Sequence, residues 1–206
     1  MTLVPPPRLF VIAAKRSPRA VVVRRGPASW TQLTLWETDR DQFTGGAWFR
    51  GRIYAEKCDL SPDGQLFLYS AFQGSRALSR VTDSYTALSR PPWLYALALW
   101  PMGTTYGGGG RFVGNRRVTL RGAGACLPEH AAQEIEVVAG TAELHQSSEE
   151  VEGAQWSGRD HGNRLVFTRE GRIFARTGLR DVELADLTAG RPDPQPAPDW
   201  AKQPVR

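Results

Sequence analysis

Asp63-Gly64-Gln65-Leu66-Phe67-Leu68-Tyr69 sets the fold of this chain: a glycine turn opens directly into an apolar, β-rich run. The pattern returns as Val113-Gly114-Asn115-Arg116-Arg117-Val118-Thr119, and again as His161-Gly162-Asn163-Arg164-Leu165-Val166-Phe167. The turn glycines Gly64, Gly114 and Gly162 recur at intervals of 50 and 48 residues. Self-similarity at that period points to stacked antiparallel sheets, each built from one repeat.

Working outward, Arg8–Ala14 and Ala20–Arg24 read as two strands joined across Ser17-Pro18. Thr31–Glu37 alternates polar and apolar as a half-buried strand does, and Thr44-Gly45-Gly46 reads as a loop. Gly51–Leu60 reads as one strand, Ser61–Gly64 as a turn and Gln65–Phe72 as the next strand; Pro62 presets φ and Gly64 relieves the exit. Residues 73–92 are polar and turn-rich, whereas 92–100 are nearly all apolar with weak alternation, which predicts burial on both faces. Pro128–Gln133 is the one candidate helix, and Glu134–Val138 and Thr141–His145 could pair across Ala139-Gly140. Arg164–Thr168 and Arg172–Arg176 flank Arg169-Glu170-Gly171, a three-residue connection suited to a glycine bulge. Val182–Leu187 closes that unit. Residues 1–190 form one domain, and 191–206, with five prolines, form an extended tail or a strap.

The composition agrees with an all-β chain: 41% hydrophobic, 21 glycines and 15 prolines among 206 residues. The net charge of +5 is carried almost wholly by arginine, the lysines being Lys15, Lys57 and Lys202. Arginine forks suit carboxylates and phosphates. The positive charges are scattered, so a nucleic-acid partner is an alternative rather than the favoured reading; it would need Arg16, Arg19, Arg24, Arg25, Arg116, Arg117 and Arg121 on one surface. Cys58 and Cys126 follow no metal spacing and are expected to be reduced. Leu9–Ala14 is too short for a signal core or a membrane span, so a cytoplasmic protein without a membrane partner is expected.

Leu60-Ser61-Pro62-Asp63-Gly64-Gln65-Leu66-Phe67-Leu68-Tyr69 resembles the blade motif of WD-repeat and TolB-like β-propellers, and Trp156–Phe167 is a weaker echo of it. The resemblance implies that the serine-proline-aspartate-glycine turn joins the two inner strands of a blade. The chain departs from that pattern in having no Trp-Asp dipeptide and room for only about four units.

Tyr106–Arg111 is the sharpest local feature. Consecutive amides of Gly107, Gly108, Gly109 and Gly110 could form an anion-binding concavity, with Arg111, Arg116 and Arg117 supplying charge. The same run also suits a place where two strands approach closely. Trp93, Tyr95, Trp100 and Tyr106 could make an aromatic floor for a ligand, or pack between sheets as core. Neighbours in a strand point apart, so Asp160-His161 is not an acid–base pair, and no nucleophile or metal motif accompanies the histidines. The reading is an all-β protein of about four antiparallel β-meander units in a propeller-like arrangement, with few or no helices and no cofactor. It is a non-enzymatic binding or scaffolding module that presents a loop face to a protein, a small anionic partner or a second copy of itself. A hydrolase acting on an anionic or sugar-like ligand at Gly107–Gly110 is the enzymatic alternative.

Overall fold

The structure, a computed structural model, describes residues 5–26, 28–74, 82–122, 124–130, 132, 134–145 and 149–205. It is all-β, with sixteen strands in four sheets, mostly antiparallel, and one short α-helix among the described residues. The first sheet is the meander β1 (Arg8–Ala13), β2 (Arg19–Arg25), β3 (Trp30–Glu37) and β4 (Gln42–Arg50). In the second, β5 (Arg52–Ile53) and β6 (Asp59–Leu60) both pair with β7 (Phe67–Phe72), followed by β8 (Ser84–Ser89) and β9 (Ala98–Pro101). The third holds β10 (Gly110–Phe112), β11 (Arg117–Leu120) and β12 (Glu136–Val137), the last pairing in parallel. The fourth is the meander β13 (Trp156–Arg159), β14 (Leu165–Arg169), β15 (Arg172–Thr177) and β16 (Arg180–Asp186).

The strand period of two explains the stacking. In β2, Ala20 and Val22 join Leu9, Val11, Val166, Ile173 and Ala175 in the core shared with the fourth sheet. Its other face, Val21 and Val23, joins Ile12, Phe67, Tyr69 and Ala87 in the core shared with the second sheet. Leu66, Leu68, Leu88, Ala98 and Trp100 then meet Phe112 and Val118 of the third. The order in space is therefore fourth, first, second, third, and the central strands β2 and β7 are buried along nearly their whole length, which is why β2 is nearly continuously apolar. The apolar run 92–100 is not one strand buried on both faces: only Ala98–Pro101 is a strand, and residues 93–96 are half-buried or exposed. Along the middle of the stack β13 touches β1, β1 touches β6, and β6 touches β10.

The turns at Gly64, Gly114 and Gly162 join β6 to β7, β10 to β11 and β13 to β14, the first tight hairpins of three sheets. Ser61 Oγ accepts from the amides of Gln65 and Leu66 at 3.0 and 2.9 Å, which closes the Ser61–Gly64 turn. Arg24 ties down the chain beyond the fourth sheet by donating to the carbonyls of Leu187, Thr188 and Gly190. The proline-rich segment then reaches the other end of the stack. There α1 (Asp199–Lys202) buries Ala201, Val205 enters the core between the second and third sheets, and Arg90 donates to the Pro204 carbonyl at 2.9 Å.

Several strand bounds differ from those read in the sequence. Gly51–Leu60 is not one strand: Ala55–Lys57 form a 3-10 turn, so the chain leaves β7 after Ile53 and rejoins it at Asp59. Thr44-Gly45-Gly46 lies inside β4, where Gly46 leaves room for Pro92; an added Cβ would stand 2.3 Å from the Pro92 carbonyl oxygen. Residues 73–92 hide the buried strand β8, whose small Ser, Thr and Ala side chains give little apolar signal. Arg169 pairs with Arg172, so the hairpin turn is the two residues Glu170 and Gly171, both at positive φ (49 and 79°) as a type I′ turn requires. Glu136–Val137 pairs with β11 rather than with Thr141–His145. Within Pro128–Gln133 a 3-10 turn covers Pro128–His130, while positions 131 and 133 lie outside the described residues. Among the described residues no helix is long and apolar enough to cross a membrane.

Candidate functional site

The glycine run is an inter-sheet joint. Gly108, Gly109 and Gly110 are buried. A Cβ on Gly109 would lie 2.1 Å from the Lys57 carbonyl oxygen, and one on Gly110 2.2 Å from that of Thr119. Two of the amides that could have faced an anion are engaged: Gly108 N–H donates to Arg121 O at 2.9 Å and Gly109 N–H to Thr86 Oγ1 at 2.7 Å. The carbonyls of Thr105, Tyr106 and Gly107 turn inward to the Lys57 ammonium. Arg111 is equally engaged, donating to Cys58 O, Gly110 O and Glu56 O at 2.8, 2.7 and 3.0 Å. Burial holds the Arg111 and Lys57 pKa values below their usual ones.

The other residues read from the sequence do not gather around this joint. Tyr106 is 91% exposed beside it. Half-buried Trp93 and exposed Tyr95 occupy the β8–β9 connection, where Tyr95 lines a surface hollow with Glu129, His130 and Lys202. Arg116 and Arg117 lie at the turn end of the β10–β11 hairpin, opposite the glycines, and pair with Asp63 at 3.5 Å and Glu136 at 2.8 Å. The seven arginines needed for a single nucleic-acid surface also divide. Arg16, Arg19, Arg116 and Arg117 sit at the first-hairpin end, Arg25 and Arg121 at the other, and Arg24 is buried.

Beside the joint, Asp59 is 2% exposed. It accepts from Phe112 N at 2.7 Å and Leu60 N at 3.0 Å, with His145 Nε2 at 3.2 Å from Oδ1. These contacts make Asp59 the acceptor that ties β6 of the second sheet to β10 of the third. Burial pushes the Cys58 thiol up to about 12, so it stays protonated at neutral pH.

A different site emerges where the first sheet hands the chain to the second. A cleft of about 570 Å³ opens there, lined by Arg25, Trp30, Arg50, Arg52 and Phe72 among others. A hollow of about 520 Å³ adjoins it, sharing Arg25 and Ala28 and adding Arg8. Register places these charges: Arg8 is the direct cross-strand neighbour of Arg25, Arg50 that of Trp30, and Arg52 that of Phe72. Among the described residues none of the four arginines forms an ion pair. Burial depresses the Arg25 pKa, as do the guanidinium groups of Arg52 and Arg8, while Glu56 and Tyr54 act weakly the other way. Like charges directly opposite in a ladder destabilise a sheet, so this arrangement works against the fold that carries it. Sequence reading missed the cleft because its four arginines lie on four strands. The one available signal was the β1–β2 hairpin: the register that pairs Ala13 with Ala20 also pairs Arg8 with Arg25.

No family model matches the chain, and no curated protein or solved structure is significantly similar to it.

Proposed function

We propose that this protein is a non-enzymatic binding module that receives an anionic partner in the cleft between its first and second sheets, and that its four sheets stand in a propeller-like arrangement. The observation that carries the reading is the group Arg8, Arg25, Arg50 and Arg52, which lines the cleft and its adjoining hollow; Arg8 and Arg52 are close enough to depress the Arg25 pKa, and none of the four forms an ion pair among the described residues. Uncompensated charge that opposes folding is a mark of a binding function. The contact series β13, β1, β6, β10 supports the propeller-like arrangement, as does the Ser61–Gly64 turn that resembles WD-repeat and TolB-like blades. A binding role also suits the engagement of Asp59 with backbone amides and the protonated state of Cys58.

Calorimetric titration of the full chain with tripolyphosphate at low salt tests this reading. The expected result is saturable binding that Arg50→Glu/Arg52→Glu weakens by roughly tenfold or more, with a thermal unfolding temperature no lower than the parent's. Both side chains are exposed, so folding is expected to survive. Equal affinity in the variant would reject the cleft as the anion site.

A further inference from the structure

We infer that the cleft is a groove for single-stranded nucleic acid, with the four arginines on phosphates and Trp30 and Phe72 as platforms for bases; this rests on the anionic-partner reading above. Three observations favour that ligand. First, the two hollows share Arg25 and Ala28 and so form one elongated depression running from Arg52 toward Arg8. An elongated cationic track suits a polymer better than a single small anion.

Second, the wall carries aromatic surface. In β7 the other two rings are buried, Phe67 at 0% and Tyr69 at 2% exposure, whereas Phe72 at the cleft end is 36% exposed. Trp30 stands edge-on to Trp48 with centroids 6.4 Å apart, which fixes its plane. Held aromatic faces beside a cationic track are what unpaired bases stack on. An acidic peptide would use the charges and have no need of the rings.

Third, the cations are arginines, which stack as well as pair. Arg52 already lies over the Tyr54 ring at 4.8 Å. The site lies in a recess where the first sheet meets the second, and its rings can be used only by bases that are not already paired and stacked.

The test is fluorescence anisotropy of a labelled oligothymidylate of about twelve nucleotides with the full chain, across a salt series. Four phosphate contacts give an expected slope of log K against log salt of about −3. Phe72→Ala is expected to weaken binding roughly tenfold and Phe72→Trp to restore it. Duplex DNA of the same length and polyglutamate are expected to compete at least tenfold more weakly. If polyglutamate competes equally, or Phe72→Ala has no effect while Arg50→Glu/Arg52→Glu abolishes binding, the anion site stands and the nucleic-acid inference fails. If charge reversal changes neither oligonucleotide nor tripolyphosphate binding, both readings fall together.

Discussion

The joint between the second and third sheets and the cleft between the first and second are built from the same residue types, and they do opposite things. At the joint, Lys57 and Arg111 point their donors at backbone carbonyls, and three buried glycines let the β10 approach close onto the second sheet. In the cleft, among the described residues, Arg8, Arg25, Arg50 and Arg52 meet no carboxylate and Gly74 has nothing within 4 Å of its would-be Cβ. A run of glycines flanked by cations therefore does not by itself mark an anion site. What separates scaffold from binding surface is whether the donors already have acceptors.

The largest expected effect that sharpens this contrast is at Gly109. Gly109→Ala forces a methyl to 2.1 Å from a carbonyl oxygen at a backbone φ of +76°. It is expected to cost about 4 kcal/mol, or to prevent folding. Gly74→Ala, at a similar φ of +77° but with nothing within 4 Å among the described residues, is expected to cost only about 1 kcal/mol. Urea denaturation of the two variants measures the difference, and equal losses would break the distinction between joint and cleft.

Asp59→Ala comes next. It leaves the amides of Phe112 and Leu60 without their acceptor inside the core, for an expected loss of about 2–3 kcal/mol. Arg52→Ala in the cleft is expected to stay within about 0.5 kcal/mol of the parent. A smaller effect is pH-dependent and involves the clamp between the fourth and first sheets. Arg164 donates to both Asp41 oxygens at 2.8 Å and to Asp160 at 2.7 Å. Those hydrogen bonds hold the Asp41 carboxyl below its ordinary value of 3.8. A carboxyl depressed in the folded state contributes stability above its unfolded pKa and loses it as pH falls through the folded value. Arg164→Met is thus expected to be less stable than the parent near neutrality, with the gap narrowing toward about pH 3. A gap independent of pH in thermal melts would remove the Asp41 pairing from the account.

The smallest effect has the opposite sign. Arg8→Thr relieves the Arg8–Arg25 opposition and is expected to raise stability by about 0.5 kcal/mol while weakening anion binding. If stability falls instead, the two guanidinium groups do not repel as described.

The elements legible in the sequence were those with local causes. The glycine-turn repeat located the first hairpins of three sheets, whereas the apolar run 92–100, read as buried on both faces, holds a strand only at Ala98–Pro101 and leaves Tyr95 exposed. β8 escaped because Ser84, Thr86 and Ser89 are buried by stacking of sheets rather than by their own apolarity. β4 escaped because its Gly45-Gly46 pair reads as a loop, whereas Gly46 here makes room for Pro92 within the strand. Of the candidate site, the sequence pointed to Gly107–Arg111, whose chemistry is local in sequence. The cleft and its adjoining hollow draw on β1, β2, β3, β4, β5 and the end of β7, and only the sheet register brings those positions together.

The most direct test of the central claim compares two charge reversals, Arg50→Glu/Arg52→Glu in the cleft and Arg116→Glu/Arg117→Glu on the third-sheet hairpin, for oligothymidylate affinity in the same low-salt buffer. The expected result is a loss of roughly tenfold or more for the first pair and less than about twofold for the second. A loss confined to the Arg116/Arg117 pair would contradict the account and move the anion site to the hairpin.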